Sequence, residues 1–419
     1  MGRGRAAGRG ARRVRVVTGA GAAVGAGTRA DGVVGWVAPG FEGVRRAFAD
    51  AVASDVGTGA ALSVRQRGDV VVDLAGGVAD DVTGRAWGLD TPSVLFSATK
   101  GVMSILVARL VQDGRLRYDQ PVAELWPEYA RAGKAGTRVA DALAHRAGIA
   151  APHRDWTLSD LVDWDRATAL VAAEEPRGEP GTAWAYHAIT HGWLTGEIVR
   201  RVTGLMPGAW FQALATGPLG VDAWIGIPPE VGERVARMRV GTTLRELTSR
   251  QRADVAAGGP DLPLRALTLG GALPLELVGD DAGFSRADVQ AAEIPGAGGI
   301  GTAHALAAVW SAVVVETAGV RLLDDDTIRL ATRPVSGGDE PPAFDVPGPW
   351  PRWGMGFQLD SAARRYLGSG SLGHDGAGGQ VAFADVEHRV GFAFLTNRME
   401  ADDDRGTRIV DALREALPR

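Results

Sequence analysis

Cysteine is absent from the 419 residues, which excludes disulfides, thiol nucleophiles and thiolate metal sites. Lysine is nearly absent: among 45 basic residues there are two lysines, Lys100 and Lys134, and the rest are arginine. Tyrosine occurs four times. No apolar run approaches the roughly 18 residues that a membrane span needs; the longest, LAAVWSAVVV at 306–315, reads as a buried helix. No G-x-S-x-G elbow occurs, which argues against an α/β-hydrolase. A net charge of −5 gives no general attraction to nucleic acid or to anionic membranes.

What is present begins with an arginine- and glycine-rich leader, expected to be flexible and to span residues 1–32. Its VTGAGAAVGAG stretch imitates a phosphate loop, but Val24 stands where G-x-G-x-x-G requires its last glycine, and no βαβ unit follows. The expected location is cytoplasmic, with export on an arginine-rich signal as the alternative. From Pro39 to Val52 the spacing predicts an amphipathic helix, and ALSVRQRGDVVVDLAGG predicts two strands joined at Arg67-Gly68-Asp69. The chain ends in strands again, with Val390, Phe392 and Phe394 alternating as on a half-buried strand, and then a closing helix. Between them the sequence reads mainly as helices and loops. The expected fold is therefore α/β (α+β): a mainly antiparallel sheet built from both termini and flanked by helices, with an inserted, mostly helical lobe. In numbers, 33–115 with 331–419 form the α/β lobe and 116–330 the helical lobe.

The stretch VLFSATKGVMSILVARL at 94–110 places Ser97 and Lys100 one turn apart at a helix start. Residue i+3 shares the face, so the amine can reach the hydroxyl. Unpaired N–H groups and the helix dipole there favour developing negative charge. A lysine in so arginine-biased a chain points to a need for a titratable amine, since arginine cannot be deprotonated. A neutral amine at pH 7 requires a downward shift of roughly 3 units from the free value, which burial can supply.

FSATKG resembles the S-x-x-K box of serine β-lactamases and penicillin-binding proteins, and the chain is most similar to their class C-related branch, including the family VIII carboxylesterases. LAHRAGI at 143–149, GTAWAYHAITHGWLTGEIVRRVTG at 181–204, PGAGGIGTAHALA at 295–307 and GHDGAGGQVAFAD at 373–385 follow in that branch's order. The resemblance implies Ser97 as nucleophile, with Lys100 and Tyr186 as a coupled general-base pair in which the phenol's pKa also falls. It implies an oxyanion hole made by the backbone N–H groups of Ser97 and Ala377, and no cofactor. His374-Asp375-Gly376 stands where the lactamases have Lys-Thr-Gly, and Ala188 where an asparagine is usual. Both departures favour uncharged small-molecule esters over lactams. His374, Asp375, Gly376 and His187 are the expected substrate-binding residues. A β-lactamase, a D-amino-acid peptidase and an acyltransferase are the alternatives on the same residues, with a non-catalytic binding protein beyond them. His187 and His191 lack a third ligand, so no metal site is expected. His145 belongs to a box that is structural in that branch. Oligomeric state is left open.

Overall fold

The computed structural model describes residues 32–54, 57–344 and 346–418. The leader, apart from Gly32, and its phosphate-loop imitation lie outside these residues. Strands β1 (Val33–Val37), β2 (Gly59–Gln66) and β3 (Asp69–Asp80) come from the N-terminal part. Strands β4 (Ser371–Gly376), β5 (Gln380–Asp385) and β6 (Val390–Thr396) come from the C-terminal part. They pair in the order β1-β3-β2-β6-β5-β4, and the sheet continues through two-residue strands at 358–359, 352–353 and 336–337. All these pairings are antiparallel. The seam between the two ends of the chain is β2 against β6, from Ala60↔Thr396 to Gln66↔Val390. The β2–β3 hairpin turns on Arg67 and Gly68, both with positive φ (55° and 93°). That geometry matches the right-handed twist of the strands. Gly68 is also required because a Cβ there would lie 2.7 Å from the Glu316 carbonyl oxygen.

Two helices from opposite ends of the chain, α1 (Glu42–Ala53) and α5 (Arg405–Ala416), cover one face of the sheet. The other face carries α2 (Ala98–Gln112) and α4 (Ala303–Val314). Helix α4 falls within 116–330 by sequence, yet it packs on β6, β2 and β5. Beyond α2 lies the helical layer, which includes α3 (Thr190–Thr203) and the helix Trp164–Ala173. A three-stranded sheet of Ser93–Val94, Gly299–Gly301 and Ala223–Ile225 sits at the start of α2. Among the described residues no helix is long and apolar enough to cross a membrane.

The alternation on β6 is present, but its second face does not meet solvent. Val390, Phe392 and Phe394 pack with Phe48, Ile409 and Leu413 under the terminal helices, whereas Ala393 and Leu395 join the core shared with α4. All seven residues of β6 are buried. Bulk on one face and small residues on the other let an alanine-rich helix approach closely. Helix α2 likewise departs from a one-sided pattern: Ala98 to Ala108 are all buried, because sheet and helical layer enclose it.

Sheet and helix meet closely at Gly391, where a Cβ would fall 2.3 Å from the Ser311 nitrogen and 2.4 Å from the Ala307 oxygen. Backbone cannot swing aside as a side chain can. Gly391→Ala is expected to destabilise the fold by about 1–3 kcal/mol, read as a lowered urea midpoint with unchanged slope.

Candidate active site

Ser97 immediately precedes α2, and its side chain makes no helix-capping bond. The turn that presents it is held from several sides. Phe96 adopts a positive φ of 46°, an unfavourable conformation for a bulky residue. The Leu95 N–H donates to the Gly299 oxygen at 2.8 Å. Thr99 Oγ1 donates to the Phe96 oxygen at 2.6 Å and accepts from the Gly299 N–H at 2.9 Å. Thr99 is thus a clamp between the serine turn and the 299–301 strand. Nothing in the S-x-x-K spacing distinguishes it from Ala98, the other intervening position.

Lys100 is fully buried. Its Nζ lies 3.1 Å from Ser97 Oγ and 2.6 Å from each of the carbonyl oxygens of Ala188 and Gly296. Burial holds the amine well below its ordinary value of 10.5. A neutral amine has two N–H donors and one lone pair. With the two carbonyls taking the donors, the lone pair is left for the serine hydroxyl.

Tyr186 stands over the amine, its ring centroid 4.9 Å from Lys100 Nζ. Trp353 stacks on the Tyr186 ring at 5.6 Å and 18°, and His145 lies against it at 4.7 Å. The expected depression of this phenol is reversed: burial pushes it above the ordinary value of 10.0, and Asp375 pushes in the same direction, against a hydrogen bond with Ser97. The reason is that the neighbouring amine is itself driven neutral, so no ammonium is present to favour phenolate.

His374 faces this group from β4. Its ring lies 5.1 Å from that of Trp353, Nδ1–H donates to the Asp375 oxygen at 2.7 Å, and the buried Nε2 has no partner among the described residues. Burial and the proximity of Lys100 take its pKa down to about 3. The position that holds a cation in lactamases is therefore neutral at pH 7. His145, His187 and His191 are also pushed down by burial.

Three expected substrate contacts are placed otherwise. His187 is fully buried, accepts the Ile149 N–H at Nε2 (3.1 Å) and donates from Nδ1 to the Ala185 oxygen (2.6 Å). It ties two chain segments together and has no nitrogen left for a substrate or a metal. Asp375, one residue from His374 on a strand, points to the opposite face. There it pairs with Arg364 (2.7 Å) and accepts from the Tyr366 hydroxyl (3.1 Å). At Gly376 the close approach is made by the chain itself, since a Cβ would lie 2.2 Å from the Leu95 oxygen. Gln380 Nε2 also donates to the Val94 oxygen at 3.1 Å. These contacts bring the Ala377 turn beside the serine turn. The N–H groups of Ser97 and Ala377 have no protein acceptor among the described residues. Nor do these residues contain three or more His, Asp or Glu grouped to hold a metal. Surface clefts lined by Asp80, Arg85 and Arg237 (about 280 Å³) or by Asp360, Tyr366 and Arg414 (about 400 Å³) contain neither serine nor lysine of the pair. Chemistry, not volume, marks the site.

A serine opening an enclosed helix, a buried lysine one turn on, and a tyrosine from the helical layer define a Ser-x-x-Lys class of site between an antiparallel sheet and that layer. The chain belongs to the Beta-lactamase family, whose description matches residues 44–416. It is 32% identical over 376 residues to the Esterase/beta-lactamase LipL of Mycobacterium tuberculosis (strain ATCC 25618 / H37Rv), covering 88% of this chain and 83% of that one. Among solved structures, a family VIII carboxylesterase superposes with a TM-score of 0.79 at 34% identity, covering 92% of this chain and 100% of that one. A penicillin-binding protein homologue from Caulobacter crescentus gives 0.78 at 33%, with the same coverage.

Burial raises the other three tyrosines, Tyr118, Tyr129 and Tyr366, as well. A spectrophotometric titration of the folded protein should therefore show no tyrosinate below the ordinary phenol value of 10.0. One phenol in four ionising below that value, and lost in Tyr186→Phe, would contradict the direction assigned to Tyr186.

Proposed function

We propose that the protein is a serine hydrolase of small, uncharged carboxylic esters. The observation that carries this reading is the buried Lys100 amine at 3.1 Å from Ser97 Oγ. Ser97 Oγ attacks the ester carbonyl carbon while its proton passes to the Lys100 lone pair. The N–H groups of Ser97 and Ala377 receive the developing oxyanion, a contribution of about 3 kcal/mol each. Collapse breaks the bond to the alcohol oxygen. The Tyr186 hydroxyl, kept protonated by burial, donates to the departing alkoxide and regains a proton from the Lys100 ammonium. Water then attacks the acyl-enzyme with the amine again as base, releasing the acid and restoring Ser97. Amine and phenol remain a pair, with the amine as base and the phenol as acid.

The preference for uncharged substrates rests on His374 and Ala188. A neutral imidazole and a methyl group supply no fixed positive charge and no amide for the carboxylate of a lactam. Arg364 cannot substitute, since it is paired with Asp375 on the other face of β4.

Release of p-nitrophenol from acetyl, butyryl and octanoyl esters, run beside a chromogenic cephalosporin, tests the proposal. Short-acyl esters should turn over fastest, cephalosporin opening should be slow, and Ser97→Ala should abolish both. Lys100→Arg should fall about 10²–10⁴-fold, because arginine keeps the charge but cannot act as a neutral base. Undiminished ester turnover in Ser97→Ala would refute the proposal, and cephalosporin opening as fast as ester cleavage would replace it with a lactamase.

A further inference from the structure

His145 lies outside the proton path described above, yet it holds the Tyr186 backbone on both sides. Its carbonyl oxygen accepts the Ala185 N–H at 2.9 Å, and its ring Nδ1 accepts the His187 N–H at 3.2 Å. The residues before and after Tyr186 are thus both bonded to one residue, whose imidazole stands where a neighbouring strand would offer a second carbonyl. The arrangement requires His145 to adopt a left-handed backbone, with φ of 63°. Because Nδ1 accepts, the ring proton resides on Nε2, which is buried and has no partner among the described residues. The ring itself is packed against Tyr186 and Trp353, each at 4.7 Å, and against His191 at 4.9 Å. A strained backbone and an orphaned buried N–H both carry a free-energy cost. A plain packing residue would need neither.

We infer that His145 is a positioning residue that sets the Tyr186 hydroxyl for proton delivery to the departing alkoxide. This rests on the ester-hydrolase reading and adds a specific consequence to it. Misplacing the phenol by about 1 Å can slow the step that uses it on the order of 100-fold. That loss falls on esters of simple alcohols, whose alkoxides need a proton to depart. It spares p-nitrophenyl esters, whose phenolate leaves without one. A general loosening of the site would slow both kinds alike.

Two amide substitutions separate these cases. In His145→Asn the side-chain oxygen takes the place of Nδ1 as acceptor, and asparagine tolerates positive φ better than most residues. In His145→Gln the amide sits one atom further out and cannot replace that bond. Turnover of ethyl butyrate and p-nitrophenyl butyrate is measured for both, alone and combined with Tyr186→Phe. The glutamine variant should lose about 100-fold on the ethyl ester and less than 10-fold on the aryl ester. The asparagine variant should keep the wild-type ratio between the two substrates. With phenylalanine at 186, the glutamine substitution should add little further loss, the non-additivity expected when one residue acts through another.

Equal losses on both esters, or a full further loss in the Tyr186→Phe background, would overturn the inference. If the glutamine variant does not fold, the asparagine variant decides alone, and a changed substrate ratio there overturns it. Failure of the hydrolase reading itself would show separately, as ester turnover surviving Ser97→Ala.

Discussion

Lys100 carries its amine into a fully buried position beside Ser97, and the arrangement of the site follows from keeping it there. The enclosure of α2 on every side removes solvent, and the carbonyls of Ala188 and Gly296 replace two of the lost hydrogen bonds. Desolvation penalises the ammonium more than the amine, so a side chain that is normally a surface cation becomes a proton acceptor next to a hydroxyl. The same exclusion reaches the neighbours. His145, His187, His191 and His374 are each disfavoured as cations by burial and by Lys100. A second positive charge within this group would oppose protonation of the amine during the reaction. The amine proposed as the base is thus surrounded by rings that burial keeps neutral.

The other lysine shows the same packing logic without the chemistry. Lys134 is also fully buried, over the Tyr129 ring at 5.1 Å, and its Nζ donates to the carbonyl oxygens of Arg131 (3.0 Å), Ala172 (3.1 Å) and Glu174. A compact head with donors on one atom suits a knot of converging carbonyls, where a planar guanidinium would need a wider slot. Lys134 meets three carbonyls. Lys100 meets two and a hydroxyl. That single replacement distinguishes a structural lysine from a candidate catalytic one, and it accounts for lysine at two positions in a chain that otherwise uses arginine.

Much of this was legible in the sequence because it depends on local spacing. The hairpin at Arg67-Gly68, the helix opened by Ser97, the helix at 303–314 and the nearness of Ser97 to Lys100 all rest on residues within a few positions of one another. Tyr186 came from the resemblance of its segment, not from spacing. What the sequence could not convey was the second neighbour of each element. Alternation on β6 marks two faces, but whether α4 or water meets the small one depends on a helix about eighty residues away. The direction of the Tyr186 shift turned on whether the lysine beneath it is charged, which only burial decides. Asp375 and His187 lie beside proposed site residues in sequence, yet strand alternation sends one to Arg364, and the backbone groups of Ile149 and Ala185 claim the other.

With two lysines in the chain, the state of the Lys100 amine can be read directly from protein labelled with carbon-13 in lysine. The Lys100 side-chain signal is identified as the one that moves when a fluorophosphonate occupies Ser97. At neutral pH it should lie at the neutral-amine position and shift to the ammonium position only on acidification. A signal that remains that of an ammonium until the pH nears the ordinary 10.5 would contradict the account.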